Sequence, residues 1–107
     1  MKTDTIAAIA TAMTNSGIGI VRMSGNDAIN IIQKIYKGKK NKDFEKISTH
    51  TIHYGYIIDG EETIDEVLVM IMKGPHSFTG EDTVEINCHG GVFVIKRIFG
   101  NMYFSYL

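Results

Sequence analysis

The sequence has little of several features that mark particular classes of protein. A single cysteine, Cys88, excludes an internal disulfide framework and suits a reducing compartment. Basic and acidic residues nearly cancel, 11 against 12, so no overall positive field predicts binding to nucleic acid. No apolar run approaches the ~18 residues of a membrane-spanning helix, and the N-terminus lacks the layout of a signal peptide. We therefore expect a cytoplasmic protein. Its 107 residues fit either one small domain or a fragment of a larger chain.

Sequence motifs of several common enzyme classes are also missing. Gly17 and Gly19 partly match a dinucleotide-binding fingerprint, but its sixth position is Arg22, and the glycines precede a predicted strand when they should follow one. No phosphate-binding loop with Gly-Lys-Ser/Thr occurs. The four histidines and Cys88 lack the spacing of a zinc site. Cys88 has no evident base on its own strand face, so we expect it to be a small core residue.

The apolar pattern predicts strands and helices in alternation. A helix is expected after a cap at Ser24 or Asn26, with an apolar stripe as far as Tyr36 and a stop at Gly38. A turn at Asp59-Gly60 is expected to join two strands as a hairpin. The other predicted elements are strands at 5–11, 18–24, 50–58, 63–73 and 83–89 and a helix at Val92–Phe99. Together they predict an α+β fold, with a mixed β-sheet and helices packed on one face.

Two stretches each leave two interpretations open. Lys37–Lys46 holds five lysines and is either a solvated connector or a contact for phosphate or RNA. Val67–Met72 is apolar on both faces, as is typical of a central strand or of a strand covered by a partner.

Charged residues stand out in two otherwise apolar strands. Along Thr83–His89, alternation sends Cys88 and its apolar neighbours to one face and Glu85, with Asn87 and His89, to the other. Arg22 interrupts the other strand. A charge in such a setting needs a partner, so Arg22 and Glu85 either pair with each other or flank a ligand. A carboxylate suits the guanidine-like edge of a pterin or guanine ring, and Arg22 suits a carboxylate or phosphate.

Several sequence words occur together in one order. They are Asp4–Ala8, Gly17–Gly25, Gly74-Pro75, Ser77–Asp82 and Val84–Gly91. Over residues 3–98 these words closely resemble the amino-terminal domains of the MnmE (TrmE) family of bacterial tRNA-modification GTPases.

The resemblance implies a fold similar to folate-binding aminomethyltransferase domains. It implies a homodimer that holds a 5-formyl-tetrahydrofolate-type one-carbon donor near its interface, with Arg22 and Glu85 matching folate-site residues of the family. The family's full-length protein works with a flavin-dependent partner on the wobble uridine (U34) of tRNA. GTP, Mg²⁺ and K⁺ belong to its GTPase domain, which this sequence does not contain.

The sequence also departs from the family pattern. We expect a domain over residues 1–99 and an atypical tail over 100–107, the mark of a truncated or frame-shifted product. A downstream basic folate contact and a carboxy-terminal cysteine motif are missing, and Met13–Ser16 lacks the usual Pro-Gly pattern.

We expect this chain alone not to be catalytic. One alternative is a dimerisation module that binds no small molecule. Another is a one-carbon transferase with His89 or Asp82 as its base.

Overall fold

The computed structural model describes residues 5–10, 17–75, 77 and 79–106, with side chains as far as Tyr103. Within these ranges it has six strands and two helices. They are β1 (Ile6–Ile9), β2 (Ile18–Ser24), α1 (Ala28–Ile35), β3 (Tyr36–Lys37), β4 (Thr51–Asp59), β5 (Glu62–Met72), β6 (Thr83–His89) and α2 (Val92–Tyr106). The predicted α+β class is confirmed. The prediction about the loop Met13–Ser16 lies outside the described residues.

The strands form one sheet in the order β1-β2-β6-β5-β4-β3. Every described pair of neighbours is antiparallel, so the sheet in this part of the chain is antiparallel throughout, where the sequence predicted a mixed one. The reason is that β6 returns between β2 and β5 and runs against both. This insertion places Glu85 of β6 opposite Arg22 on one side and Met70 on the other.

Both helices pack on the same face of the sheet. Alternation along β2 and β6 turns Val21, Ile86 and Cys88 into this core, and Cys88 is only 5% exposed, as predicted. Ile95 of α2 lies so close to the sheet that a Cβ on Gly19 would come within 2.6 Å of its side chain. Neither helix of the described chain has the length and apolar character needed to cross a membrane.

The opposite face, which we call the open face, is not covered by the described residues. It carries the Arg22 and Glu85 side chains and most of the exposed large apolar side chains. Those that lie on it are Ile6, Ile18, Ile52, Tyr54 and Leu68. The strand β5 is therefore central in the sheet but covered on one side only.

Helix α1 differs from its prediction at both ends. It ends at Ile35, and Tyr36 is extended (φ −100°, ψ 141°), so the predicted stop at Gly38 is wrong. Burial explains this early end, because the Tyr36 ring packs edge-on against Phe44 at 4.9 Å between centroids.

The N-terminal cap of α1 was also predicted wrongly. Asp27 occupies the cap position, with no capping hydrogen bond from its side chain. Ser24 belongs to β2 instead, where its Oγ lies 2.7 Å from Oγ1 of Thr79.

The hairpin and the last helix are close to their predictions. Strands β4 and β5 pair as expected, and the turn residues are Gly60 (φ 62°) and Glu61, one position later than predicted. Helix α2 continues beyond Phe99 to Tyr106, and Met102 is buried in the core. Residues 100–106 therefore continue helix α2.

Candidate functional site

Arg22 and Glu85 face each other across the β2–β6 ladder on the open face. The Arg22 Nη2 and Nε atoms donate to Glu85 Oε2 at 3.0 and 3.2 Å. The Glu85 side chain is 10% exposed and that of Arg22 is 40% exposed. Of the two interpretations left open by the sequence, the structure contains the mutual ion pair. Whether the pair also flanks a ligand is a separate question.

The geometry leaves one carboxylate oxygen of Glu85 for another donor. Both bonds from Arg22 end on Oε2, and within the described residues no hydrogen bond reaches Oε1. That oxygen is not a buried unpaired atom either, so it is accessible from the open face. A carboxylate accepts up to four hydrogen bonds, and Glu85 therefore has acceptor capacity to spare.

Hydroxyl groups surround the end of β2 next to this pair. Ser24 Oγ lies 2.7 Å from Thr79 Oγ1 and donates to Glu81 Oε2 at 3.3 Å. Thr79 Oγ1 also lies 3.3 Å from the hydroxyl of Thr83. The Asp82 carboxylate accepts from the Gly74 backbone N–H at 3.0 Å. The turn that contains Glu81 and Asp82 therefore has a structural role, because its hydrogen bonds close the loop before β6.

A cavity of about 320 Å³ lies at the edge of the sheet where β2 begins and β6 ends, and neither Arg22 nor Glu85 lines it. Its lining includes Ile18, Leu68 and Asn87, and Asn87 lies two residues from Glu85 along β6. A second cavity, about 350 Å³, lies away from the pair between β1 and the helices and includes Met23 and Phe99 in its lining. The smaller cavity is related to Glu85 through Asn87, which lies on the same face of β6.

The two residues proposed as catalytic bases already have partners. His89 Nδ1 lies 2.7 Å from Asp65 Oδ1, and its backbone N–H donates to Asp65 Oδ2 at 2.8 Å. Asp82 is used in the turn described above. Burial, followed by the charge of Asp65, raises the pKa of the Cys88 thiol to about 11, so this thiol is protonated near neutral pH. Within the described residues no cluster could hold a metal ion.

The structure also has an internal network that the sequence interpretation missed. Phe44, in the middle of the charged loop, is fully buried and packs its ring 5.3 Å from that of His53. Lys42 Nζ lies 2.9 Å from His53 Nδ1. Gln33 of α1 clamps the loop, because it accepts from the Phe44 N–H and donates to the Lys42 carbonyl. A lone aromatic residue within a run of charges is the signal that could have shown this anchor.

Comparison of the sequence with known proteins shows which family the chain belongs to. The family model described as GTP-binding protein TrmE N-terminus matches residues 5–105. The chain belongs to this family. It is 57% identical over 99 residues to the tRNA modification GTPase MnmE of Lachnoclostridium phytofermentans, an alignment that covers 92% of the chain and 22% of that relative.

Other MnmE proteins are similar at the same coverage. The tRNA modification GTPase MnmE of Thermoanaerobacter pseudethanolicus is 59% identical over 97 residues, and that of Bacillus subtilis is 50% identical over 97 residues. Each alignment covers 89% of the chain and 21% of the relative. The chain thus corresponds to the N-terminal domain of MnmE and spans about a fifth of the length of these relatives.

Proposed function

We propose that this chain is the folate-binding and dimerisation domain of a tRNA-modification GTPase. Glu85 and Arg22 form the ligand site, and the ligand is a 5-formyl-tetrahydrofolate-type one-carbon donor. The observation that carries the proposal is the Arg22–Glu85 pair on an open, largely apolar sheet face in a chain of the TrmE N-terminus family.

The chemistry of the pair supports a pterin ligand. A pterin ring presents adjacent N–H donors along a guanidine-like edge, and a carboxylate binds such an edge through two parallel hydrogen bonds. Glu85 has one oxygen without a bond from the described residues, and its second becomes available if Arg22 turns away. Arg22 would then be placed to bind the anionic end of the ligand. The cavity that begins at Asn87 and is lined partly by Leu68 would supply apolar contacts.

Calorimetric titration of this chain with 5-formyl-tetrahydrofolate tests the ligand site. We expect Glu85→Gln to weaken binding roughly 10- to 100-fold, since a hydrogen bond to a charged group contributes about 1.5–3 kcal/mol. Glu62→Gln is the matched control, because Glu62 also pairs with an arginine, Arg97 of α2, at 2.6 Å. A folded protein that gives no binding heat would refute the folate site.

Dimerisation through the open face is the second part of the proposal. Ile18 and Leu68 on this face are 63% and 47% exposed, and an exposed apolar patch of this kind typically marks an interaction surface. Light scattering at high concentration tests it, and a monomer would contradict it. A dimer without folate binding would favour the alternative, an interaction module with no small-molecule ligand.

The remaining parts of the proposal concern the larger protein. We propose that a complete protein containing this domain modifies the wobble uridine (U34) of tRNA in the cytoplasm, together with a flavin-dependent partner. GTP, Mg²⁺ and K⁺ would bind to a separate GTPase domain. This chain alone is not expected to be catalytic.

A further inference from the structure

Positive charge is concentrated in one short stretch of the chain. Residues 34–42 contain five lysines and no acidic residue, whereas the rest of the sequence holds six basic and twelve acidic residues. Four of the five are exposed, and we call these four the lysine patch. The lysine patch consists of Lys34, Lys37, Lys39 and Lys40. A nearly neutral protein thus carries a local basic surface on an otherwise acidic molecule.

The fold holds this stretch in place at both ends. Towards its N-terminal end, Lys37 pairs with Tyr56 in the β3–β4 ladder. At its C-terminal end, the Lys42 carbonyl accepts from Gln33 Nε2 at 2.9 Å, and the buried Phe44 ring just beyond anchors the chain in the core. Because the backbone between these anchors is short, the lysines are presented from a fixed position. Binding through them costs less ordering of the backbone than binding through a disordered tail would.

Two clefts with lysines in their linings lie side by side under the lysine patch. One, of about 200 Å³, includes Lys37, Lys40 and Asn41 in its lining, and the other, of about 240 Å³, includes Lys37 and Lys39. Ammonium and amide N–H groups are the usual partners of phosphate oxygens. Two neighbouring clefts that share Lys37 match the successive phosphates of a nucleic-acid strand better than a single small anion.

The lysine patch lacks the features of surfaces that bind membranes or stack on bases. The exposed side chains in residues 34–42 include no large apolar group, since Ile35 and Tyr36 are buried. Surfaces that bind membranes combine basic residues with apolar or aromatic side chains that enter the lipid. The same lack of an exposed aromatic residue excludes base stacking within this stretch. Contact with the phosphate backbone remains as the mode that these residues support.

We propose that the lysine patch binds the phosphate backbone of RNA, with no reading of base sequence. The inference rests on the proposed function, because the tRNA substrate named for the relatives supplies the class of RNA. It adds a location, since the patch belongs to α1, β3 and the loop that follows, whereas Arg22 and Glu85 belong to β2 and β6. The domain would then hold its folate and its RNA at separate places.

Fluorescence anisotropy with an unmodified tRNA transcript, between 50 and 200 mM KCl, tests the proposal. The double variant Lys39→Gln, Lys40→Gln should raise the Kd roughly ten-fold at the lower salt concentration and reduce the slope of log K against log salt by about two. The control double variant Lys73→Gln, Lys96→Gln removes the same charge elsewhere and should change the Kd by less than about two-fold. Circular dichroism of both variants checks that they are folded.

Several results would overturn the proposal. They are a wild-type chain that does not bind tRNA at 50 mM KCl, equal losses in the two double variants, and patch-dependent binding to phosphatidylserine vesicles without binding to tRNA. Calorimetry separates this proposal from the folate site. The Lys39→Gln, Lys40→Gln variant should bind 5-formyl-tetrahydrofolate as the wild type does. A chain that binds tRNA through the patch but no folate would refute only the folate site.

Discussion

The ion pair of Arg22 and Glu85 on the sheet surface contributes little to the stability of the fold. An ion pair with one partner 40% exposed contributes about 0–1 kcal/mol. Apolar side chains of similar size often replace such pairs without loss of stability. Their neighbours on the open face include the apolar Ile20 and Met70, and also the polar Ser24, Thr83 and Asn87. We therefore propose binding, and not stability, as the main role of the pair.

A double-mutant cycle tests this explanation. We expect Arg22→Gln and Glu85→Gln to show a coupling free energy of unfolding of about 1 kcal/mol or less in urea. The same substitutions should weaken folate binding by a larger factor. A coupling of several kcal/mol would instead make the pair a structural element, and would weaken the argument for a ligand.

The lowered pKa of His53 leads to a prediction of how the stability of the fold depends on pH. Lys42 can only donate, so His53 Nδ1 accepts from it, and Nε2–H donates to Thr51 Oγ1 at 2.8 Å. Burial, and then the Lys42 charge, lower the pKa of His53 below its ordinary 6.5. As the pH falls, His53 therefore binds a proton in the unfolded chain before it does so in the folded protein. The contribution of neutral His53 to stability is complete above pH 6.5 and is lost as the pH falls below that value.

The urea concentration at the unfolding midpoint should therefore decrease as the pH is lowered from 7 to 5. His53→Gln should flatten this dependence, and Lys42→Met should reduce it by removing the second cause. An unchanged pH dependence in His53→Gln would assign the effect to other groups.

At the scale of elements, β3 depends on a close approach to β4. The ring of Tyr36 lies over Gly55, where a Cβ would come within 2.5 Å of the ring and 2.7 Å of the Lys37 carbonyl. The Tyr36 hydroxyl also donates to the Tyr54 carbonyl at 2.6 Å. The short edge strand is thus held by one aromatic side chain that needs a glycine beneath it.

The substitution Gly55→Ala should lower the free energy of unfolding by about 2 kcal/mol, because the Tyr36 ring must move or the strands must separate. Urea denaturation measures it. Gly100→Ala is the matched control, since nothing lies within 4 Å of the added Cβ and the site is inside α2. This control should stabilise the protein by up to about 1 kcal/mol. Equal behaviour of the two variants would contradict the packing argument.

The elements that the sequence predicted well are those with a regular local pattern. The ranges predicted for β2 and β6 match the structure, because alternation with one apolar face determines both the period and the buried side. The end of α1 was wrong because Tyr36 continues the helical stripe, while its extended conformation depends on distant partners, Phe44 and Gly55. Similarly, the sequence suggested a pairing of Arg22 with Glu85 but could not place Lys42 beside His53, since no local pattern encodes that contact.

For the whole molecule, the main feature is the contrast between the two faces of the sheet. Helices cover one face, while five of the seven exposed large apolar side chains of the described residues lie on the other. A surface of this composition typically marks a site of interaction, and we propose that a second copy covers it.

We expect Leu68→Glu to weaken self-association roughly 30-fold or more, because a charge at the centre of an apolar interface must be buried or the interface must open. Sedimentation velocity over a concentration series measures the change. Phe93→Glu is the control, since Phe93 is 78% exposed but belongs to α2. If the two variants dissociate equally, the dimer interface does not lie on the open face.

The position of β6 in the sheet also has a consequence for synthesis. The pairs β1–β2 and β4–β5 are hairpin-like neighbours in sequence, but only β6 joins them, and it begins at Thr83, far from the end of β2 at Ser24. A ribosome adding about 5–20 residues per second needs at least several seconds to cover that distance. During that time one edge of β2 has no strand to pair with, and after Met72 has been added β5 has such an edge as well. Unpaired edges of this kind let nascent chains bind chaperones or one another. Slower translation between these two strands should therefore lower the yield of folded protein.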